Sequence, residues 1–286
     1  MDDICRVYSP DQDSKALFSK AAQWLATIQP AAPFSAQKPE VIEKQLKDSI
    51  MRSIFGSNQI ERAGLGWTRP SRSASEFWTV KTWKSPTREH PTFARGRGEV
   101  INHVKAFQFV LDRVVALDEP FSEKLLKDTH RTLCSDTAID HHDGKGKVIG
   151  VTQAKEYAGI YRNVVVGAGN TLFTPPQFVP KKMKELVEQL NTDIQAAMEK
   201  KVIDPMSLAA KYSMDFVQIH PFQDGNGRFA GVVVPIGESK EDREEYMGIK
   251  KRASAEAADH GEYAVFVLNK CETRLRALKK KLTGRK

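Results

Sequence analysis

The chain is short of everything that marks an exported or membrane protein. Its three cysteines, Cys5, Cys134 and Cys271, are scattered over 286 residues without CxxC spacing, which argues against a disulfide framework and against a cysteine-held zinc. No apolar run approaches the roughly 18 residues of a spanning helix, and the opening MDDICRVYSPDQD is acidic and polar where an export signal is basic and then apolar. The expectation is a reduced compartment, cytoplasmic or nuclear, with no membrane partner. Acids are missing from one stretch: Arg274, Arg276, Lys279, Lys280, Lys281, Arg285 and Lys286 carry seven positive charges with none between them, out of a formal net charge of +8. The rest of the chain is close to neutral, so the basicity belongs to one helix end and gives little support to a nucleic-acid partner. With 40% hydrophobic and 28% charged residues, what remains is an ordinary globular chain, either one large domain with an extension or two small ones.

Helical periodicity dominates. Leu17, Ala21, Leu25 and Ile28 recur at three and four residues until Pro30 and Pro33; a second helix starts at Pro39 and runs through Ile42, Leu46, Ile50 and Ile54 towards Gly56. The stretch Gly64–Thr92, dense in Pro, Gly, Ser, Arg and Trp, reads as a long irregular connection. Helices resume at Gly98, with one over Val100–Leu117 and one over Phe121–Leu133 that has Ser122 as N-cap. Further helices are expected over Pro180–Lys200, Pro205–Ile219, Ser239–His260 and Glu262–Leu282. One β signal interrupts them: Tyr161–Val166, a Gly-rich turn over Gly167–Asn170, and Thr171–Thr174 closed by Pro175 and Pro176 form a hairpin. Two strands make no core alone, so it must lie on the helical body. His141-His142-Asp143 is a poor metal cluster because adjacent side chains rarely converge, and Gly144-Lys-Gly146 lacks the spacing of a P-loop.

The chemistry concentrates in nine residues. A buried stripe of Leu208, Tyr212, Phe216 and Ile219 carries a helix to His220, and Pro221 turns the chain out of it. Phe222 can turn back as an apolar anchor. Asp224 follows, then Gly225-Asn226-Gly227-Arg228, whose glycines let successive backbone N–H groups converge on an anion at the start of the next helix. The string offers a base, a carboxylate for a divalent cation, a phosphate-sized nest and a guanidinium.

His220-Pro-Phe-Gln-Asp-Gly-Asn-Gly-Arg228 resembles the H-x-F-x-[DE]-G-N-G-R signature of the Fic family, most of whose members transfer AMP from ATP to protein hydroxyls. Seven constrained positions co-occur by chance on the order of once in 10⁹ start sites at average residue usage. The resemblance implies an all-α fold, a Fic-type helical bundle with one β-hairpin flap. Residues 1–92 would then be an N-terminal helical extension, with an inhibitory helix around 53–62 and a linker, and 93–286 the Fic domain with its basic C-terminal helix. By the same resemblance His220 is the general base, Asp224 the Mg²⁺ ligand, and Gly225, Asn226, Gly227 and Arg228 the ATP phosphate site. Gly159-Ile-Tyr-Arg162 to Pro176 resembles the target-positioning flap, in which Thr171, Leu172, Phe173 and Thr174 pair by backbone with an extended target. Implied partners are a nucleotide and a target protein, with a homodimer left open.

Two features qualify that reading. Ser57-Asn-Gln-Ile-Glu61 resembles the family's inhibitory [ST]-x-x-x-E-[GN] motif, although Arg62 stands where Gly or Asn is usual. The family also continues G-N-G-R-x-x-R, and here the second arginine is Gly231, followed by Val232, Val233, Val234 and Pro235. The chain reads as about a dozen residues short between Arg228 and Phe229, roughly three helical turns, which would leave apolar faces around Val217 and Phe266 uncovered. The expected function is an adenylyltransferase autoinhibited through Glu61. The alternatives are a weakly active or inactive relative that binds nucleotide or a partner, and an enzyme that removes AMP from a modified protein.

Overall fold

The computed structural model describes residues 14–31, 39–60, 91–168, 171–200, 205–233, 239–255 and 261–283. In chain order the helices are α1 (Ser14–Ala31), α2 (Pro39–Ile60), α3 (Pro91–Val110, continued by a π-helical turn over Leu111–Ala116) and α4 (Glu123–Leu133). A hairpin, β1 (Ile139–His142) and β2 (Val148–Thr152), precedes the one-turn α5 (Ala154–Tyr157) and a second hairpin, β3 (Gly167–Ala168) and β4 (Thr171–Leu172). The chain then runs through α6 (Val179–Lys200), α7 (Pro205–Ile219), α8 (Asn226–Val233), α9 (Lys240–Ala255) and α10 (Gly261–Thr283). It is the expected helical bundle.

The centre is α7, whose buried residues Ser207, Ala210, Ser213, Met214, Phe216 and Val217 surround its axis, so it needs neighbours on every side. It packs against α10, α6 and α8. The main cluster joins Phe216, Val217, Phe222 and Phe229 to Leu126, Leu133, Met183 and Tyr157; a second joins Met214 to Tyr246, Tyr263 and Phe266. α4 shows the local logic well. Ser122 is extended and its Oγ accepts from the Leu125 N–H at 3.1 Å, which satisfies one of the orphan donors of the first turn. Leu125, Leu126, Thr129, His130 and Leu133 form its buried face. α1 lies along α10, with Trp24 Nε1 donating to Glu272 at 2.9 Å and Lys279 over the Trp24 ring. Part of the basic tail is therefore used inside the molecule. α2 rests on α8 and α3, so the N-terminal helices pack on the rest of the bundle.

Several expectations need correcting. Val217 and Phe266 are not uncovered: they are 2% and 3% exposed, because Phe229 closes over the first cluster and α9 supplies Tyr246 and Ile249 to the second. An apolar, partly open pocket of about 300 Å³ lies beside Phe229, lined by Leu126, Leu186, Leu208, Phe216, Phe229 and Ala230. A second hairpin was not foreseen. Asp143 makes its turn, accepting from the Lys145 and Lys147 N–H groups at 2.8 and 2.9 Å, while His141 hydrogen-bonds Thr152 across the strands at 2.7 Å. The flap hairpin is shorter than expected and its first strand is shifted: among the described residues Gly167–Ala168, read as part of the turn, pair with Thr171–Leu172, and residues 161–166 do not. The helix expected from Gly98 begins at Pro91, and the second runs past Gly56 to Ile60. Glu61 and most of the Gly64–Thr92 connection lie outside the described residues.

Candidate active site

The site is built where α7 ends. His220 still donates its backbone N–H to Phe216 O at 2.9 Å as a last helical bond, but Pro221 disfavours the right-handed helical region for it, and it takes φ +53°. The imidazole Nδ1 sits 3.2 Å from Val217 O. A carbonyl only accepts, so Nδ1 carries the proton and Nε2 the lone pair. The Phe173 ring stacks on the imidazole at 3.8 Å and 12°, and burial pushes the group down to about 4. At neutral pH His220 is a neutral imidazole with its basic nitrogen defined.

Phe222 is fully buried and anchors the loop, stacked on His130 at 3.7 Å. Asn226 spends its amide on the same loop: Oδ1 accepts from Phe222 N at 3.0 Å and Nδ2 donates to Phe222 O at 2.8 Å. Its side chain holds the turn, which leaves the backbone as its contribution to a nest. Gly225 has φ +77°, and a Cβ there would lie 3.1 Å from Cys134 Sγ and 3.3 Å from His130 Nε2. Glycine is required on both counts. α8 begins one residue later, so the N–H groups of its first turn have no acceptor within the helix.

Asp224 is a third exposed, and its Oδ2 accepts from Arg228 Nη2 at 2.7 Å. Arg228 itself is 1% exposed and reaches towards Glu99, 4.0 Å away. Asp224 thus presents a carboxylate at the surface while its other side is tied to a buried cation. Ser57 sits alongside α8, its Oγ donating to Gly227 O in the first turn at 3.4 Å, and it packs on Gly231 so tightly that a Cβ at Gly231 would lie 2.4 Å from that oxygen. The vacant arginine position is filled by α2.

Three residues of this site were not singled out in advance. His130 is fully buried; Gly159 N donates to its Nδ1 at 2.8 Å, so its Nε2 carries the proton and donates to Asp224 O at 2.9 Å. His103, on α3, contacts Asn58 at 3.2 Å. Arg162 bonds the loop before Pro221 to both arms of the flap. No local pattern marks them, because their partners are 94, 45 and 58 residues away.

Burial lowers His103 to about 3 and His130 to about 4, the Arg228 charge adding to both. Each group resists protonation when folded and accepts a proton near 6.5 when unfolded. Their neutral form is therefore a source of stability that is present above pH 6.5 and is lost as the pH falls towards 4. We expect the melting temperature to drop steadily between pH 7 and pH 5; a flat profile there would mean that water reaches these rings.

Taken together, the site is a neutral histidine at a helix corner, an anion nest at the following helix N-terminus, a carboxylate between them and a flap over the histidine. In chemical terms such an arrangement can bind an anion at the helix N-terminus and take a proton at the histidine. Residues 120–234 match the model of the Fic/DOC family. It is 28% identical over 124 residues to a Fido domain-containing protein of Dictyostelium discoideum, covering 39% of this chain and 84% of that one. It is 32% identical over 114 residues to the protein adenylyltransferase fic-1 of Caenorhabditis elegans, where the match spans 39% of this chain and only 20% of the relative. Among solved structures, a Fic domain-containing signaling protein from Bacteroides thetaiotaomicron superposes with a TM-score of 0.66 at 20% identity, over 95% of this chain and 98% of that one. Fic-1 from C. elegans gives 0.66 at 18%, over 96% and 74%. These likenesses establish the fold. Among the described residues no helix is long and apolar enough to cross a membrane.

Proposed function

We propose that this chain is a protein adenylyltransferase that moves AMP from ATP to a Ser, Thr or Tyr hydroxyl of a target protein. The observation that carries the reading is His220, neutral, with Nδ1 tied to Val217 O and Nε2 left as the base. Nε2 takes the hydroxyl proton as the oxygen attacks the α-phosphorus; the bond to the bridging oxygen breaks and pyrophosphate leaves. Backbone N–H groups of Gly225, Asn226 and Gly227 donate to the phosphate oxygens. The match to fic-1 adenylyltransferases over this segment supports the choice of reaction.

Asp224 fits a magnesium ion in kind. Mg²⁺ is usually held by one or two carboxylates, with phosphates and waters completing its shell, and Asp224 offers one partly exposed carboxylate beside the nest. When bound, the ion neutralises charge on the leaving pyrophosphate. Target and nucleotide are the proposed partners, and Thr171 and Leu172 are the backbone rail for the target, since Thr174 O is already taken by Arg162.

Regulation follows from α2. Ser57 is seated on α8, which brings the end of α2 to the helix that forms the nest, and Glu61 follows four residues later in the sequence. We read this as the autoinhibitory arrangement. The test is incubation with α-labelled and γ-labelled ATP. Label on protein is expected from the α-phosphate alone, with Mg²⁺ required, lost in Asp224→Asn, and increased less than tenfold in Glu61→Gly. Nucleotide binding without transfer by either wild type or Glu61→Gly would replace this reading with that of an inactive relative; AMP release from a pre-modified protein would reverse its direction.

A further inference from the structure

Arg162 is 5% exposed, and its hydrogen bonds among the described residues end on backbone carbonyls. Nε donates to His220 O at 2.6 Å and Nη2 to Ile219 O at 3.3 Å, so the guanidinium caps the last carbonyls of α7. Cations are favoured at that helix end. Nη1 donates to Val164 O at 2.9 Å and Nη2 to Thr174 O, one carbonyl from each arm of the flap. The backbone N–H of Arg162 donates to Pro221 O at 2.9 Å. One residue therefore joins the corner that carries His220 to the entrance and exit of the flap. It also explains why the arms do not pair over 161–166: the side chain spans them in place of a ladder.

The connection has a consequence for the base. His220 holds φ +53°, a conformation that histidine adopts at a cost, and both its carbonyl and that of the preceding residue are clasped by Arg162. Phe173, one residue before Thr174, lies on the imidazole. The ring's two neighbours, its own backbone and the aromatic above it, are thus both set by the same guanidinium. A lysine has one donor centre and cannot reach carbonyls on three sides at once.

We propose that Arg162 is a positioning residue that locks His220 and the flap into one frame, so that the base and the docked hydroxyl keep a fixed separation during AMP transfer. The proposal rests on the adenylyltransferase reading for its kinetic part only. Its structural part is read by hydrogen exchange over residues 163–174 and by the NMR shifts of the His220 ring, which carry the ring current of Phe173. In Arg162→Gln the flap is expected to exchange at least tenfold faster and the ring-current shift to collapse. Transfer should fall by about 100-fold, the usual scale for a misplacement near 1 Å, through kcat alone, with the nucleotide KM within twofold because the nest lies on α8. Arg162→Lys, which keeps charge and stem, should recover little of the rate; it is also the variant to use if Arg162→Gln does not fold. Unchanged exchange and ring shifts in the folded variant overturn the proposal whatever the rate does, as does full recovery of kcat by lysine. If the wild-type chain transfers no AMP but Arg162→Gln still loosens the flap and the ring, the lock stands and the adenylyltransferase reading falls.

Discussion

Replacing His220 by alanine is expected to reduce AMP transfer by 10² to 10⁴, the range general-base catalysis supplies, while ATP binds within about twofold of wild type. The separation follows from where the bonds are. What holds the corner is the backbone of residue 220, its N–H on Phe216 O and its carbonyl on Arg162, and alanine keeps both. What the imidazole adds is Nε2, which has no part in the nest at residues 225–227. Alanine does pay for φ +53°, roughly 1 kcal/mol, so His220→Asn is the better control, since asparagine tolerates that conformation and cannot act as a base. Equal activity loss in both variants, with melting temperatures and ATP affinity near wild type, assigns the effect to the lost nitrogen. If ATP affinity falls in parallel with transfer, His220 is part of the binding site and its role as base is wrong.

The parts of this site that could be read from the sequence are those in which a local rule acts over a few residues. Pro205 and Pro221 bracket α7 as N1 and exit residues, Ser122 caps α4, and the two glycines around Asn226 announce a nest at a helix start. The rest depends on residues brought together by packing. His130 looks like any histidine on an amphipathic helix until Gly159 and Asp224 are placed on its two nitrogens. Arg162 stands in a stretch that alternates poorly and reads as strand, and only the fold reveals that its side chain substitutes for strand pairing. The β1–β2 hairpin had a legible turn in Asp143-Gly144-Lys145-Gly146, but Val148, Ile149 and Val151 are exposed, so its strands lack the in-out alternation that marks a covered sheet. The idea that Val217 and Phe266 would be bare assumed that a shortened helix uncovers what it once packed on; instead Phe229 and the α9 residues Tyr246 and Ile249 cover the two clusters.

Gly231→Ala is expected to lower the melting temperature, against the usual effect of that change. In an exposed helix interior alanine is favoured over glycine by about 1 kcal/mol. Here the new Cβ would stand 2.4 Å from Ser57 Oγ and 2.7 Å from Ser57 Cβ; the hydroxyl can turn away about χ1, but the Cβ is fixed to the α2 backbone and no rotamer change clears it. Overpacking of this kind costs about 1 to 3 kcal/mol, enough to outweigh the propensity gain and to lower the midpoint by several degrees. Ser57→Gly removes both clashing atoms, so the pair Ser57→Gly with Gly231→Ala should recover most of the loss, and a double-mutant cycle should show coupling above 1 kcal/mol, as touching residues do. Ser57→Ala, which leaves the Cβ, should recover less. The same geometry bears on the second arginine of the family signature. Its position is occupied by α2, and Gly231→Arg would have to push Ser57 away before any guanidinium could reach a phosphate or Glu61. A chain that had merely lost a stretch of helix would have open space at this point, and Gly231→Ala would then stabilise it. A rise in melting temperature would show that α2 is not seated on α8 in solution, and the autoinhibitory reading of Ser57 would lose its structural support.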